Sequence, residues 1–415
     1  MRIKTKGFKK RTSVDEALKI LLSHTPLPSI EEIGISRGLN RVLACDILAN
    51  IDVPPFDRAA MDGYAVRAED TFGASQTNPI YLRVAGEVKI GEAKEIEVKP
   101  NEAIKIATGA PLPKGANAVL MYEYTRELDE EIEVLKPVTP GKNVSFKGED
   151  VKKGEILLKK GRILKPHDIG LLASFGIEKI KVYRRAKVGI ISTGDELVNL
   201  GEKLSEGKIY ESNSYMLASL VKTSNSIPER KGIVKDNKEE IKKAIKEALS
   251  NDVIIITGGT SVGKRDLVPE IIAEIGKILV HGISLRPGEP TGFGVIEDKI
   301  IFMLPGNPVA CFVAFETLIR PMLQKMQGLS LMAYSHYLVA KGILKRKIPS
   351  EIGRRDFVRV KFDGKYVEPI RVSGAGILST LVRADGFVIV PENLEGFEEG
   401  EEVEVRLFHN YFPAP

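Results

Sequence analysis

The sequence predicts a multidomain α/β protein that combines a doubly wound α/β domain with two β-rich domains. Its 415 residues are enough for two to four domains at roughly 150 residues each. Between 186 and 327, apolar strands alternate with amphipathic helices, which is typical of a parallel sheet with helices on both faces. The segments 51–150 and 328–415 consist instead of short β-type runs broken by glycine and proline. These observations exclude a single small module.

The first predicted element is a helix from Val14 to about Ser23. Ser13 and Glu16 form a capping box, and the apolar residues of the segment recur on one helical face. A second helix is expected after Pro166, with its end at Gly176 and a strand following at 180–182. We expect this later segment to pack beside the N-terminal helix.

The region from 186 to 327 shows the alternation most clearly. It predicts strands at 188–191, 232–234, 253–256, 278–280 and 300–303. It predicts helices at 215–222, 238–249, 268–275 and from Pro308 to about Gln327. After Gly328, strands at 337–340, 357–360, 386–390 and 403–407 predict a small C-terminal β domain.

Composition narrows the classes of function. Lys plus Arg number 61 and Asp plus Glu 56, so the net charge of +5 is too small for a nucleic-acid-binding protein to be inferred from charge. No run approaches the roughly 20 apolar residues that span a bilayer. Two cysteines and no secretory signal favour a reducing, cytoplasmic location. The lack of Trp and the Lys/Glu-rich composition suggest heat adaptation.

Three strands of the α/β region end in unusual sequences, at 192–197, 257–263 and 304–308. Ligands of open parallel sheets bind beyond the carboxyl ends of the strands, so we expect these three ends to converge. Gly258 and Gly259 let a ligand approach the backbone, and Asn307-Pro308 begins a helix with free N–H groups. Both features suit a phosphate or another oxyanion. A tight turn and an ordinary helix start are the alternatives.

The segment 258–264 fits the first seven positions of a nucleotide-binding P-loop. Arg265 then stands where the motif requires the Ser or Thr that binds magnesium, so a P-loop NTPase is not expected. Lys264 remains a candidate phosphate contact. Asp266 follows it directly, and a carboxylate beside phosphate contacts is suited to hold a divalent ion, although it could equally be a helix N-cap.

A second candidate cluster lies in the loop 54–65, where Asp57, Arg58 and Asp62 are close in sequence. The alternative is that the two aspartates only stabilise their own turns. The loops 108–113 and 148–150 are further candidates that spacing alone cannot place. The five histidines show no metal-ligand spacing and no nucleophile arrangement. Loop carboxylates combined with anion sites therefore favour metal-assisted chemistry on a phosphorylated substrate.

These motifs together resemble the MoeA family of molybdopterin molybdenumtransferases, which is similar to the E domain of gephyrin. They occur in family order at 56–65, 108–111, 192–197, 258–263 and 304–308. The resemblance implies an elongated N-terminal domain (1–50 and 151–185), an inserted β domain (51–150), a molybdopterin-binding α/β domain (186–327) and a C-terminal β-barrel-like domain (328–415). It also implies a homodimer whose cleft combines the α/β domain of one subunit with the inserted domain of the other.

The reaction that the resemblance implies is Mg²⁺-assisted insertion of molybdate, or tungstate, into adenylylated molybdopterin with release of AMP. The molybdopterin adenylyltransferase is then an expected partner. Catalytic roles would belong to Asp62, Thr108, Asp150, Glu196, Asp236 and Asp266. Glu196, Asp236 and Asp266 would hold the metal. Substrate binding would belong to Gly258, Gly259, Ser261, Lys264, Arg286, Pro305, Gly306 and Asn307.

Three positions depart from the family pattern. Ala59 stands where Ser is usual, Arg286 replaces a frequent Lys, and Glu289 replaces a Lys. Since a carboxylate repels an anionic substrate, Glu289 either points away or leaves the phosphate contact to Arg286. Two other functions stay open as alternatives: a partner-binding scaffold, and the earlier adenylylation of molybdopterin by ATP.

Overall fold

The computed structural model describes residues 11–91, 95–258, 267–329, 337–371 and 376–408. Contacts divide the chain into two compact units. Unit 1 comprises Met1–Ala44 with Lys179–Pro415, and unit 2 comprises Cys45–Glu178. Among the described residues, no helix is both long and apolar enough to cross a membrane.

A six-stranded mixed sheet forms the centre of unit 1. In spatial order its strands are Ile227–Val234, Lys187–Thr193, Val253–Thr257, Lys299–Leu304, Gly292–Ile296 and Lys277–His281. The first four are parallel, as predicted. Gly292–Ile296 runs antiparallel to both of its neighbours, Lys299–Leu304 and Lys277–His281. The strand Gly292–Ile296 was not predicted from the sequence. A Cβ on Gly294 would lie 2.5 Å from the Lys277 carbonyl oxygen, so close packing requires glycine there. Glycine then occupies a position where a residue typical of strands would have indicated one.

Helices cover both faces of this sheet, which confirms the α/β class. The helical segments are Asn213–Thr223, Lys238–Ala248, Leu267–Ile275, Pro308–Ala314, Phe315–Ile319 (a π turn) and Arg320–Met326. Ile255 packs with the helices 213–223 and 308–326, and its neighbour Ile254 packs with the helices 238–248 and 267–275. This alternation follows from the two-residue period of a strand.

The N-terminal helix Val14–His24 begins where the capping pattern predicts, with Ser13 Oγ accepting a hydrogen bond from the Glu16 N–H at 3.2 Å. Its buried residues Val14 and Leu21 belong to the apolar core of the α/β sheet. The helix therefore packs on that sheet. The following strand Ile30–Gly34 pairs with Lys179–Tyr183, so the two chain segments on either side of the insertion do meet.

Unit 2 is mainly β, as the glycine- and proline-rich pattern predicts. Its sheet has the spatial order Ala118–Met121, Gly63–Val66, Glu102–Ile106, Ile80–Val88, Glu131–Val134 and Thr125–Glu127. Shorter pairs join Ile47–Leu48 to Ile156–Leu158 and Arg58–Ala59 to Val144–Ser145. The predicted helix is present at Pro166–Ser174.

The C-terminal region of unit 1 forms a closed five-stranded barrel. Its strands in order are Arg355–Phe362, Tyr366–Arg371, Leu338–Leu344, Glu402–Leu407 and Gly386–Val390, and the last pairs with the first. The β-barrel-like domain predicted from the sequence is thus confirmed. Smaller elements of unit 1 are Leu197–Val198 with Ile209–Tyr210, Leu285–Arg286, Ile348–Pro349 with Gly396–Phe397, and the helix Ser379–Val382.

Candidate active site

The three strand ends singled out in the sequence lie side by side in unit 1. Ser192 is in register with Thr257, and Thr257 is in register with Leu304. The Gly258 N–H donates to the Leu304 carbonyl oxygen at 3.2 Å. We call this edge, formed by residues 192–196, 257–258 and 304–307, the strand-end edge. The predicted convergence therefore holds for the part of each loop that the structure describes.

Gly258 is required by both backbone conformation and space. Its φ is +91°, and a Cβ there would lie 2.1 Å from the carbonyl oxygen of Thr193. A Cβ on Gly306 would lie 3.9 Å from the Cα of Gly258, so the two glycines are neighbours. Pro305 is buried, whereas Gly306 and Asn307 are exposed. The edge thus presents backbone that a ligand can approach closely.

Asn307 precedes the helix that begins at Pro308, and its side chain makes no capping hydrogen bond within the described residues. Because the Asn307 side chain does not cap it, the start of this helix leaves its first N–H groups available to an anion.

Carboxylates gather next to the strand-end edge. The Asp195 Oδ1 accepts a hydrogen bond from the Asp236 N–H at 3.3 Å. The Glu196 carboxylate lies at Gly194, where a Cβ would be 2.6 Å from Oε2. Partial desolvation, followed by the negative charges of Asp195 and Glu196, raises the pKa of Asp236. Negative charge is therefore in excess at this point, and Asp195 and its neighbours offer only oxygen ligands.

Lys208 is a nearby cation that the sequence analysis did not select. Its Nζ donates to the main-chain oxygen of Asp195 at 2.5 Å. Among the described residues, no three His, Cys, Asp or Glu side chains are arranged to hold a metal ion by themselves. The predicted third metal ligand, Asp266, lies outside the described residues, as do the predicted substrate residues Gly259, Ser261 and Lys264.

Arg286 has a protein partner in unit 1. Its guanidinium group pairs with the Asp356 carboxylate, which is buried in the barrel and also accepts from Ser350 Oγ at 2.6 Å. Glu289 pairs with Arg11 at 2.8 Å, so its charge is compensated. Arg286 and Glu289, two of the three departures from the family pattern, thus each have a local ionic partner.

Asp62 and Thr108 meet on the surface of unit 2. The Asp62 Oδ1 accepts from the Thr108 N–H at 2.7 Å and from Thr108 Oγ1 at 3.0 Å. These bonds, the backbone one first, lower the pKa of Asp62. Gly63 allows the strand after Asp62 to pair closely, since a Cβ would lie 2.0 Å from the Leu120 carbonyl oxygen. Asp62 is therefore an exposed carboxylate held in its charged form.

The other candidate loops of unit 2 adjoin the same segment. Asp57 Oδ1 accepts from the Lys147 N–H at 2.8 Å, and the Asp150 N–H donates to the Val53 carbonyl oxygen at 3.1 Å. Asp57 and Asp62 thus bind loops distant in sequence rather than their own turns. Ala59 is 1% exposed and packs in an apolar cluster, so its side chain contributes to the core.

Family models match nearly the whole chain. The MoeA N-terminal region (domain I and II) matches residues 12–176, the probable molybdopterin binding domain matches 189–325, and the MoeA C-terminal region (domain IV) matches 341–408.

Curated relatives and a solved structure agree with these models. A Methanocaldococcus jannaschii protein that bears a molybdopterin-biosynthesis name is 52% identical over 390 residues, with 91% of this chain and 92% of that protein covered. The molybdopterin molybdenumtransferase of Bacillus subtilis is 36% identical, with 96% and 95% covered. The structure of a molybdopterin biosynthesis MoeA protein from Pyrococcus horikoshii matches with a TM-score of 0.86 and 41% identity, covering 97% of this chain and all of that one.

Proposed function

The chain belongs to the MoeA family, and on that premise we propose that it inserts molybdate or tungstate into adenylylated molybdopterin in a Mg²⁺-dependent reaction that releases AMP. Membership makes it a molybdopterin molybdenumtransferase of molybdenum cofactor biosynthesis. The observation that carries the proposal is the strand-end edge, where Gly306 lies next to Gly258 and Gly258 lies against Thr193, the residue before the turn that holds the Glu196 carboxylate. The charge of Glu196 in turn acts on Asp236.

Binding of the substrate phosphates is assigned to the backbone of this edge. Fixed N–H groups at Gly306 and at the helix start after Asn307 donate to phosphate oxygens without carrying a charge that must be desolvated. Gly258, whose own N–H is bonded to the Leu304 carbonyl oxygen, contributes by lacking a Cβ, so that a phosphate can approach the backbone. Such donors need no reorganisation during reaction, and single donors of this kind are worth roughly 2.7–4 kcal/mol in other enzymes. The oxyanion, molybdate or tungstate, is a second substrate.

Glu196 and Asp236, together with Asp266, would hold the magnesium ion. Their oxygen ligands fit Mg²⁺, and the raised pKa of Asp236 marks excess negative charge that a divalent cation would relieve. When bound, the ion supplies neutralisation of charge on the phosphate oxygens. Asp62, kept ionised by Thr108, contributes a fixed negative charge that orients the donor groups of the substrate.

We also propose that the protein works as a homodimer in the cytoplasm of a heat-adapted organism, and that it receives its substrate from the molybdopterin adenylyltransferase. In a dimer whose clefts combine two subunits, variants Asp62→Ala and Asp236→Ala would each be inactive. Random mixing of the two would restore about a quarter of the activity, because half of the dimers then carry one intact cleft of two. No recovery on mixing would place all the catalytic residues in one subunit.

The function is tested by AMP release. Wild-type protein with adenylylated molybdopterin and Mg²⁺ should release AMP only after molybdate or tungstate is added. ATP consumption with free molybdopterin would instead identify the adenylylation step. Absence of both activities, with binding of a peptide partner, would identify a scaffold.

A further inference from the structure

A polar segment, Glu211–Ser214, connects the strand Ile209–Tyr210 to the helix Asn213–Thr223 in unit 1. The Glu211 carboxylate is the centre of this segment, and the residue is only 3% exposed. Its Oε1 accepts from Ser192 Oγ at 3.0 Å and from the Ser214 N–H at 2.7 Å. Its Oε2 accepts from Ser214 Oγ at 2.6 Å, and an Arg230 nitrogen lies 3.9 Å away. The buried charge is thus well satisfied.

Through Ser192, Glu211 reaches two of the three strand ends. Ser192 is the penultimate residue of the strand Lys187–Thr193, and its Oγ is 3.4 Å from Thr257 Oγ1. Thr257 directly precedes Gly258, whose N–H is bonded to the third strand at Leu304. A carboxylate in the interior therefore fixes the residues that lead into the proposed phosphate-binding backbone.

Asn213 binds the loop that follows the third of these strands, Lys299–Leu304. Its Nδ2 donates to the Gly306 carbonyl oxygen at 2.7 Å, and the residue is 9% exposed. Because a carbonyl oxygen only accepts hydrogen bonds, the amide must face it with nitrogen. The side chain thus sets the position of the Gly306–Asn307 turn relative to the helix that begins at Asn213.

We propose that Glu211 and Asn213 are positioning residues that hold the backbone at Gly258 and Gly306 in place for the phosphate groups of the substrate. This inference rests on the proposed function of the strand-end edge. Apolar residues in place of Glu211 and Asn213 would fill the same space. They would, however, leave Ser192 and Ser214 without a hydrogen-bond acceptor and would remove the hydrogen bonds that fix the loops. If the loops are already ordered in the free protein, the binding free energy of the substrate is not reduced by the entropy cost of ordering them.

The test compares Glu211→Gln and Asn213→Ala with two matched controls. Glu316→Gln alters another buried carboxylate, which pairs with Arg320 at 2.6 Å. Asn251→Ala alters another buried amide, which is 1% exposed and donates to Glu229 at 2.6 Å. Asn251 lies two residues before the strand Val253–Thr257, at the end opposite to Gly258.

Two readouts are needed: the dissociation constant for adenylylated molybdopterin without molybdate, and hydrogen exchange of the backbone amides of Thr257, Gly258, Leu304, Gly306 and Asn307. We expect Glu211→Gln and Asn213→Ala to weaken binding roughly 3- to 10-fold and to speed exchange at those amides. Both controls should lose stability while keeping wild-type affinity and exchange at the edge.

Unchanged affinity and exchange in the two variants, or equal losses in the controls, would overturn the inference. If the wild-type protein does not bind adenylylated molybdopterin, the proposed function fails. The exchange measurement still decides whether Glu211 and Asn213 hold the edge.

Discussion

Asp62 Oδ1 receives both hydrogen bonds that Thr108 can donate, at 2.7 Å from the N–H and 3.0 Å from Oγ1. The two residues are 46 positions apart in the chain. Because the bonds favour the charged carboxylate, they lower the pKa of Asp62. The pair therefore keeps an exposed carboxylate ionised and oriented at the surface of unit 2.

Thr108→Val removes the hydroxyl donor while keeping the backbone donor and nearly the same shape. We expect the pKa of Asp62 to rise towards its ordinary value, as followed by ¹³C NMR titration of the labelled carboxyl group. Thr125→Val, which removes a hydroxyl that donates to the Tyr122 carbonyl oxygen, is the control and should leave the titration unchanged. An unaltered midpoint in Thr108→Val would show that the hydroxyl does not act on Asp62.

Asp62→Asn should reduce AMP release by about 10²-fold or more, because it removes a fixed charge at the proposed site. Its unfolding temperature should stay near that of wild type, since the side chain is exposed. Asp46→Asn is a matched control, as Asp46 is exposed in the same unit and accepts from the Lys160 N–H at 2.7 Å. Full activity in Asp62→Asn would remove Asp62 from the mechanism.

Gly258→Ala should destabilise unit 1 through a direct collision with the Thr193 carbonyl oxygen. Gly201→Ala is the control, because Gly201 has a similar φ of +87° but no atom of the described residues lies within 4 Å of the added Cβ. We expect Gly258→Ala to cost about 1–3 kcal/mol more than Gly201→Ala in urea unfolding. Equal costs would mean that the strand ends can separate without penalty.

Tyr64 predicts a response to alkaline pH. The ring is fully buried, and this burial, with the charge of Glu127 in a smaller role, raises the pKa of the phenol to about 12. In the unfolded chain a tyrosine ionises near 10, so the unfolded state gains stability first as the pH rises. Wild-type protein should therefore lose unfolding free energy between pH 10 and 12 that Tyr64→Phe does not lose.

The control for this measurement is Tyr210→Phe, which alters an exposed ring. Its loss of stability between pH 10 and 12 should parallel that of wild type. Parallel losses in wild type and Tyr64→Phe would contradict the assignment of the effect to Tyr64.

Arg286→Ala separates a structural role from a substrate contact. The change leaves the buried Asp356 carboxylate without its cationic partner, and we expect a loss of about 3–5 kcal/mol in unfolding free energy. Arg346→Ala removes an exposed pair with Glu368 at 2.9 Å and should cost about 0–1 kcal/mol. Unchanged stability with weakened substrate binding would instead return Arg286 to the phosphate site.

Much of the α/β domain was predictable because its strands are apolar runs and its helices have a clear period. Ile254 and Ile255 illustrate this, since adjacent residues enter opposite cores. The strand Gly292–Ile296 was not predictable, because its glycines are demanded by packing against Lys277 and its neighbours, and spacing does not report packing.

The convergence of the strand ends was predictable from the sequence, because it follows from a parallel sheet. The contacts between loops that are distant in the chain were not predictable. The meeting of Asp62 with Thr108, and of Asp57 with Lys147, is set by which loops adjoin in the folded sheet. Glu211 was not selected from the sequence, because a single acidic residue just before a helix is common and does not indicate a functional site. Only the structure shows that it bonds Ser192, 19 positions earlier.

The proposed reaction couples release of AMP from the pyrophosphate of the substrate to insertion of a metal oxyanion at its dithiolene sulfurs, and the stoichiometry of the two products tests it most directly. Wild-type protein is mixed with adenylylated molybdopterin, Mg²⁺ and molybdate, and the AMP released is compared with the molybdenum bound to the dithiolene product. We expect one AMP for each metal inserted and none when molybdate and tungstate are both omitted. AMP release that is independent of the oxyanion, or metal insertion without AMP, would contradict the proposed reaction.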